Sequence, residues 1–319
     1  MWSYQVVAPG FVERVEVPDD SGQLQDGQVR LRLLVAGLCG SDMPRLNGAK
    51  GLSPGGGLGG APVHEAVGEV IESASPLFKR SQHVVGSLGP DASLSEVVTC
   101  PASSIIPVPD GFDDVEAVAI QPISTVLRAA GQFPDVRGRS AAVVGAGPSG
   151  LAFCHILKQR GVAKISVIDP VERGETAKAF GADEFLATTG RRWRENLDGQ
   201  VRPEVVVEAV GHQNETVVDA IWAAAVGGFV FGFGEITDPD YVIPCRQIYE
   251  KALTFASGRT NKGQWARVLQ EGAAYVARHK ADFASYISHV LPLSEAQQAY
   301  SLYARPQAGR LKVVIVTTR

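Results

Sequence analysis

Three side chains in the first quarter of the chain could together hold a metal ion. They sit in two short motifs, Gly37-Leu38-Cys39-Gly40-Ser41-Asp42 and Pro62-Val63-His64-Glu65-Ala66-Val67-Gly68. Cys39, His64 and Glu65 offer a thiolate, an imidazole and a carboxylate. Three protein ligands with a fourth position open to water or substrate describe a catalytic zinc site. Spacing alone leaves a second reading open: a cysteine packed in a core and a histidine satisfied on a strand.

A glycine turn supplies the second constellation, Gly145-Ala146-Gly147-Pro148-Ser149-Gly150. The apolar run Ala141 to Val144 precedes it and a helix-like stretch, Leu151 to Lys158, follows. Gly145 permits the tight turn, Gly147 lets a pyrophosphate approach the backbone, and Gly150 lets the helix pack on the strand. The helix N-terminus then presents free N–H groups and a positive dipole end to phosphates. Asp169 ends the next predicted strand, 24 positions after Gly145. A carboxylate there accepts hydrogen bonds from the adenosine ribose hydroxyls and repels a 2′-phosphate, which favours NAD over NADP.

The elements that must position these residues differ between the two parts of the chain. Up to about residue 120 the segments are short and rich in Val, Gly and Pro. Gln28 to Ala36, His64 to Ser73 and Gln82 to Gly86 read as strands of a β-rich, barrel-like domain. Gly51 to Gly60 holds six glycines in ten residues and reads as a loop. After Pro122, helical and strand patterns alternate. Helices are expected over 124–132, 151–160, 171–180 and 214–225, and strands over 140–145, 164–169, 184–187, 203–210, 228–233 and 253–257. That alternation predicts a parallel, doubly wound sheet with its ligand at the carboxyl ends of the strands. A helix over 263–278 and a strand over 310–316 close the chain.

With 319 residues the chain is long enough for two domains. Its net charge is −4, without a basic stripe or block, which speaks against a nucleic-acid partner. Cys39, Cys100, Cys154 and Cys245 are scattered and form no CxxC pair, so a reducing, cytoplasmic setting is expected rather than a disulfide framework. The N-terminus lacks the pattern of a secretory signal, and no apolar run approaches bilayer length.

The order Cys-Gly-Ser-Asp, His-Glu, glycine turn and strand-end Asp resembles the medium-chain dehydrogenase/reductase family, the zinc alcohol and polyol dehydrogenases. The likeness extends to Glu96, to Pro101–Gly111, to Val205–Gly211 and to Arg310–Val314. It implies an α/β fold in which a Rossmann doubly wound parallel sheet is inserted in a β-rich, GroES-like catalytic domain. The expected boundaries are 1–122 (catalytic), 123–257 (NAD-binding) and 258–319 (return to the catalytic domain). It implies zinc on Cys39 and His64, with Glu65 either a ligand or a nearby carboxylate exchanging with water. Asp42 would hydrogen-bond His64 and fix its tautomer. Ser41 would accept the substrate hydroxyl proton. Thr125, Val210, Phe231 to Phe233 (with Gly232) and Ala256 to Gly258 (with Ser257) would lie on the nicotinamide side, and Lys312 would meet the pyrophosphate.

The chain departs from this family at three places. Gly86 to Ser95 is short and contains no cysteine, so the four-cysteine structural zinc lobe is missing. Gln121 stands where another zinc-site Cys or Glu usually precedes Pro, and a neutral amide is a weak zinc donor. Pro44 stands where a relay His often lies. The expected activity is hydride transfer between a secondary alcohol, such as a polyol, cyclitol or sugar derivative, and NAD. The alternatives are a zinc-free reductase of an activated C=C or C=O bond and a non-catalytic nucleotide-binding relative. A small-molecule substrate and a homodimer or tetramer are expected, with no nucleic acid and no membrane. Asn47 and the loop Gly51 to Gly60 are expected to border the pocket. An edge strand near Tyr241 to Ile243 is expected to pair with a second subunit.

Overall fold

The apolar run beginning at Gln28 becomes the centre of a β-sheet. In a computed structural model, which describes residues 1–19, 22–48, 59–89, 92–197, 201–238, 240–258 and 264–317, the chain forms two compact units. Unit 1 comprises Met1–Ser124, Asn261–Pro306 and Arg310–Arg319. Unit 2 comprises Thr125–Thr260 and the short stretch Gln307–Gly309.

The strands, in chain order, are β1 (Trp2–Ala8), β2 (Phe11–Glu16), β3 (Gln28–Gly37), β4 (Glu65–Ser73), β5 (His83–Ser87), β6 (Val97–Pro101) and β7 (Ile105–Pro107) in unit 1. Unit 2 holds β8 (Ser140–Val144), β9 (Lys164–Asp169), β10 (Glu184–Ala187), β11 (Val205–Glu208), β12 (Phe229–Gly232) and β13 (Thr254–Ser257). The chain then returns to unit 1 with β14 (Ile287–Pro292) and β15 (Lys312–Val316).

Unit 1 is built on a seven-stranded sheet, ordered β14-β15-β3-β4-β5-β7 with β6 also paired to β3. All its pairings are antiparallel except β14 with β15. β3 is buried along almost its whole length, as its continuous Leu-Leu-Val-Ala run requires of a strand covered on both faces. Tyr4, Leu31, Leu33, Leu94, Tyr300 and Ile315 belong to one buried cluster. The pairing of β3 with both β4 and β15 matters for chemistry. It sets Gly37 opposite both Glu65 and Val314.

Unit 2 is a six-stranded parallel sheet, ordered β10-β9-β8-β11-β12-β13. The order runs outward from β8 in both directions, so the doubly wound expectation is met. The strand order reverses between β8 and β11, the place where such sheets open a crevice at their carboxyl ends.

Most boundaries agree with the sequence reading within a few residues, and the exceptions have local causes. The helix expected from Ser124 begins at Ile120. Pro122 lies in its first turn, where the missing N–H costs little. The helix expected from Val171 begins only at Gly174; in the turn before it the Asp169 carboxylate accepts the Val171 N–H at 2.8 Å. The segment Tyr241 to Ile243 is not a strand; β13 is the edge. Pro244 removes a ladder donor, and Tyr241 and Ile243 instead pack on the unit 2 core. Residues 51–58 of the glycine loop lie outside the described residues. Among the described residues, no helix is long and apolar enough to cross a membrane.

Candidate metal centre and dinucleotide site

The two ligand-bearing motifs meet where β3 ends and β4 begins. Cys39 follows β3 directly, and His64 and Glu65 open β4. Their donor atoms lie within 4.8 Å of one another. Asp42, itself buried, fixes two of them. Its Oδ1 lies 2.8 Å from His64 Nδ1, and its Oδ2 accepts the Cys39 backbone N–H at 3.0 Å. A carboxylate can only accept, so Nδ1 carries the proton and Nε2 is left as the ligand atom. Burial opposes a charge on His64, but Asp42 and the Cys39 sulfur outweigh it and hold the imidazole pKa well above the usual range. A metal must therefore displace a proton to bind there. Ser41 donates its hydroxyl to Cys39 Sγ at 3.4 Å.

Glu65 reaches this place only because Gly37 faces it. A Cβ on Gly37 would come within 2.7 Å of Glu65 Oε2 and 3.2 Å of its Cβ. The carboxylate is 1 % exposed and paired with Lys312, whose Nζ lies 2.8 Å from Oε1 and 2.6 Å from Oε2. Lys312 also donates to the Leu38 carbonyl at 2.9 Å. The expectation that Lys312 meets a pyrophosphate is thereby corrected. Its ammonium is fully buried in unit 1 beside the candidate metal ligands. The reason is topological: β15 pairs with β3 and starts beside Glu65.

Thiolate, imidazole and carboxylate are a donor set that suits zinc, and their convergence here fits that ion. Gln121 is buried on the helix Ile120–Ala130. Pro44 sits in the first turn of the short helix Met43–Leu46, which explains a proline at that place.

In unit 2 the glycine turn follows β8, and the helix Pro148–Gln159 begins directly after Gly147. Gly145 has φ +101°. A Cβ on Gly150 would lie 1.8 Å from the Gly145 carbonyl oxygen, so no other residue can stand there. At Gly147 a Cβ would meet nothing within 4 Å, which leaves the helix N-terminus, with Pro148 and Ser149, open on that side. Asp169 locks this turn. Its Oδ2 accepts the Ala146 N–H at 2.8 Å and its Oδ1 the Val171 N–H at 2.8 Å. Arg173, buried, donates to the Ala146 carbonyl at 3.0 Å and to the Gln307 carbonyl at 3.2 Å, with Nη1 3.7 Å from Asp169.

The neighbouring loops are held by a residue the sequence reading passed over. Glu208, 1 % exposed at the end of β11, accepts from Val210 N (2.9 Å), Gly211 N (2.9 Å) and Thr216 Oγ1 (2.8 Å) on one oxygen. Its other oxygen accepts from Gly234 N at 3.2 Å. The signal was available: an acid closing the apolar run Val205-Val206-Val207 must be buried and fully bonded. Val210 is exposed, and its methyl would lie 2.8 Å from a Cβ on Gly145. Gly232 ends β12, Phe233 is half-buried against Phe153, Ser257 is exposed at the end of β13, and Thr125 is half-buried on its helix. Phe231 is wholly buried among Phe133, Phe153 and Phe229, so it is core and does not line a pocket.

No family profile matches the chain. Individual proteins do. The chain is 26% identical to the starvation-sensing protein RspB of Escherichia coli, over 96% of its length and 95% of that protein's. It is 24% identical to a sorbitol dehydrogenase of Bombyx mori, over 91% of each. Among solved structures, the alcohol dehydrogenase TADH of Thermus sp. ATN1 superposes with a TM-score of 0.83 at 27% identity, covering 99% of this chain and all of the other.

Proposed function

We propose that this chain, a relative of the zinc-dependent medium-chain alcohol and polyol dehydrogenases, is an NAD-dependent oxidoreductase acting on a secondary alcohol. The substrate class proposed is a polyol, cyclitol or sugar derivative. The observation that carries the reading is the convergence of Cys39, His64 and Glu65 donor atoms within 4.8 Å, with Asp42 holding two of them. Cys39, His64 and Glu65 would hold one zinc ion per chain. Bound there, zinc supplies Lewis acidity that lowers the pKa of an alcohol hydroxyl.

The chain's own groups do the rest. Asp42 keeps the proton of His64 on Nδ1. Ser41, bonded to Cys39 Sγ, is the hydroxyl placed to take the substrate proton. Pro44 cannot relay it, so Ser41 would pass the proton on toward water, or another residue of the chain would take that part. In unit 2 the Gly145–Gly150 turn and the helix after it receive the pyrophosphate, and Asp169 receives the adenosine ribose. Thr125, Val210, Gly232, Phe233 and Ser257 are proposed for the nicotinamide side. Hydride transfer belongs to the cofactor, which these residues orient. A cytoplasmic homodimer or tetramer completes the proposal, supported by four free cysteines and the family's habit.

The test is metal content of chelator-free protein, measured beside an NAD-linked screen of polyols and secondary alcohols. About one zinc per chain is expected, with NAD reduction lost in Cys39→Ser. Full activity without metal would sink the zinc part. Oxidation of NADH by an enone that survives chelation would favour the zinc-free reductase, and nucleotide binding without turnover the non-catalytic relative.

A further inference from the structure

We propose that Lys312 is a built-in rival of the metal for Glu65: it stabilises the metal-free fold and loosens the grip of the centre on a divalent cation. The inference rests on the metal reading above and concerns a residue that reading leaves without a role.

The ammonium of Lys312 spends its three donors on Glu65 Oε1, Glu65 Oε2 and the Leu38 carbonyl. Leu38 is the neighbour of Cys39, so one buried cation ties together the strand end that carries the thiol and the carboxylate across from it. Both side chains of the ion pair are 1 % exposed. Three acceptors converge on Nζ, and only an ammonium, with three N–H groups, can satisfy them all; a neutral amine has two.

Charge then decides the direction. In the metal-bound state, where Cys39 must be a thiolate and His64 neutral, the Asp42 and Glu65 carboxylates and Lys312 leave the centre two negative charges, the amount one divalent cation cancels. Without Lys312 there would be three. A metal taking a Glu65 lone pair must also share one carboxylate with an ammonium in a low-dielectric site, where like charges repel strongly. Without a metal, Lys312 spares Glu65 the cost of a buried, unpaired charge.

The experiment is a zinc titration against a chromophoric chelator, with thermal unfolding of stripped and zinc-loaded protein. Lys312→Met should melt lower than wild type when stripped, show a larger zinc-induced rise in Tm, and bind zinc on the order of ten-fold tighter. An unchanged or weaker zinc Kd in Lys312→Met overturns the proposal, while wild type still binds. A wild type that takes up no zinc overturns the metal reading itself, and this proposal with it. Should stripped Lys312→Met fail to fold, Lys312→Gln, which keeps a donor for Glu65 but loses the charge, is titrated instead; it should bind zinc on the order of ten-fold tighter than wild type, and an equal or weaker affinity would overturn the proposal.

Discussion

The carboxylate of Asp42 lies 2.8 Å from Nδ1 of His64, and with its other oxygen it accepts the backbone N–H of Cys39. One buried side chain therefore orients both the imidazole and the loop that carries the thiol. Replacing it with alanine removes both constraints and leaves the folded chain otherwise free to form. Asp42→Ala is expected to lose about ten- to a hundred-fold in zinc affinity. Asp42→Asn should lose less, because an amide oxygen can still accept from one partner. Zinc competition with a chelator distinguishes the two; equal affinity in wild type and Asp42→Ala would show that Asp42 has no orienting role.

Asp169 has two duties that a single substitution can separate. It is proposed to present a carboxylate to the ribose, and it holds Ala146 and Val171 by their N–H groups. Asp169→Asn keeps an acceptor for one backbone donor but removes the charge that repels a 2′-phosphate. The expected outcome is weaker NADH binding together with a smaller preference over NADPH, read by nucleotide fluorescence. Unchanged discrimination would place the 2′-phosphate exclusion elsewhere.

The glycine turn and Asp169 were legible in sequence because their signals are local. A strand, a turn, a helix and an acid follow each other within 30 residues, and each has a physical need for its residue type. The three candidate ligands, which the fold does bring together, were legible as residue types, but not the state of Glu65. Its partner Lys312 is 247 positions away, and only the pairing of β15 with β3 brings the two together. Resemblance assigned Lys312 to a phosphate, since a lone lysine in sequence carries no sign of what it faces. Tyr241 to Ile243 failed for a similar reason. A short apolar run reads as a strand, yet Pro244 and packing on the unit 2 core decide otherwise.

Glu208 should prove more important to unit 2 than any single apolar residue near it. Glu208→Ala would leave three donors without their acceptor, the N–H groups of Val210 and Gly211 and the Thr216 hydroxyl, the last two of them buried, while the Gly234 N–H keeps the Glu208 main-chain carbonyl at 3.2 Å. A loss of about 3 kcal/mol is expected, with weakened nucleotide binding, since Val210 and the Gly145 turn pack together. Denaturant unfolding of wild type and variant measures the first effect; a change within 1 kcal/mol would contradict it.

The four cysteines should separate into two classes. Burial pushes the thiols of Cys100 and Cys154 up to about 12, so at neutral pH almost no thiolate is available there. Cys245 is exposed and Cys39 is half-buried. Titration with a chromogenic disulfide should show two thiols reacting in the native, metal-stripped protein and four after unfolding. Zinc should protect one of the two, and Cys39→Ser should abolish that protected class. Rapid reaction of all four in native protein would contradict the burial of Cys100 and Cys154.

Acid should loosen the outer part of the unit 2 sheet before its centre. Burial would raise the pKa of Asp183, but Lys158 at 2.7 Å and the Ile165 N–H at 2.8 Å outweigh it and hold the carboxyl below its ordinary value near 3.8. Glu184 is held low as well, by the Ser166 hydroxyl at 2.8 Å and by Lys164. A carboxyl whose pKa is lower in the folded than in the unfolded chain adds stability above the unfolded value. That stability is lost as pH falls through the folded value. Both residues brace β9 against β10, the far edge from β13. Wild type should therefore lose thermal stability steeply below about pH 4, and Asp183→Asn should lose less over the same interval because it has no carboxylate to protonate. Parallel slopes in the two proteins would mean that Asp183 does not govern the acid limb.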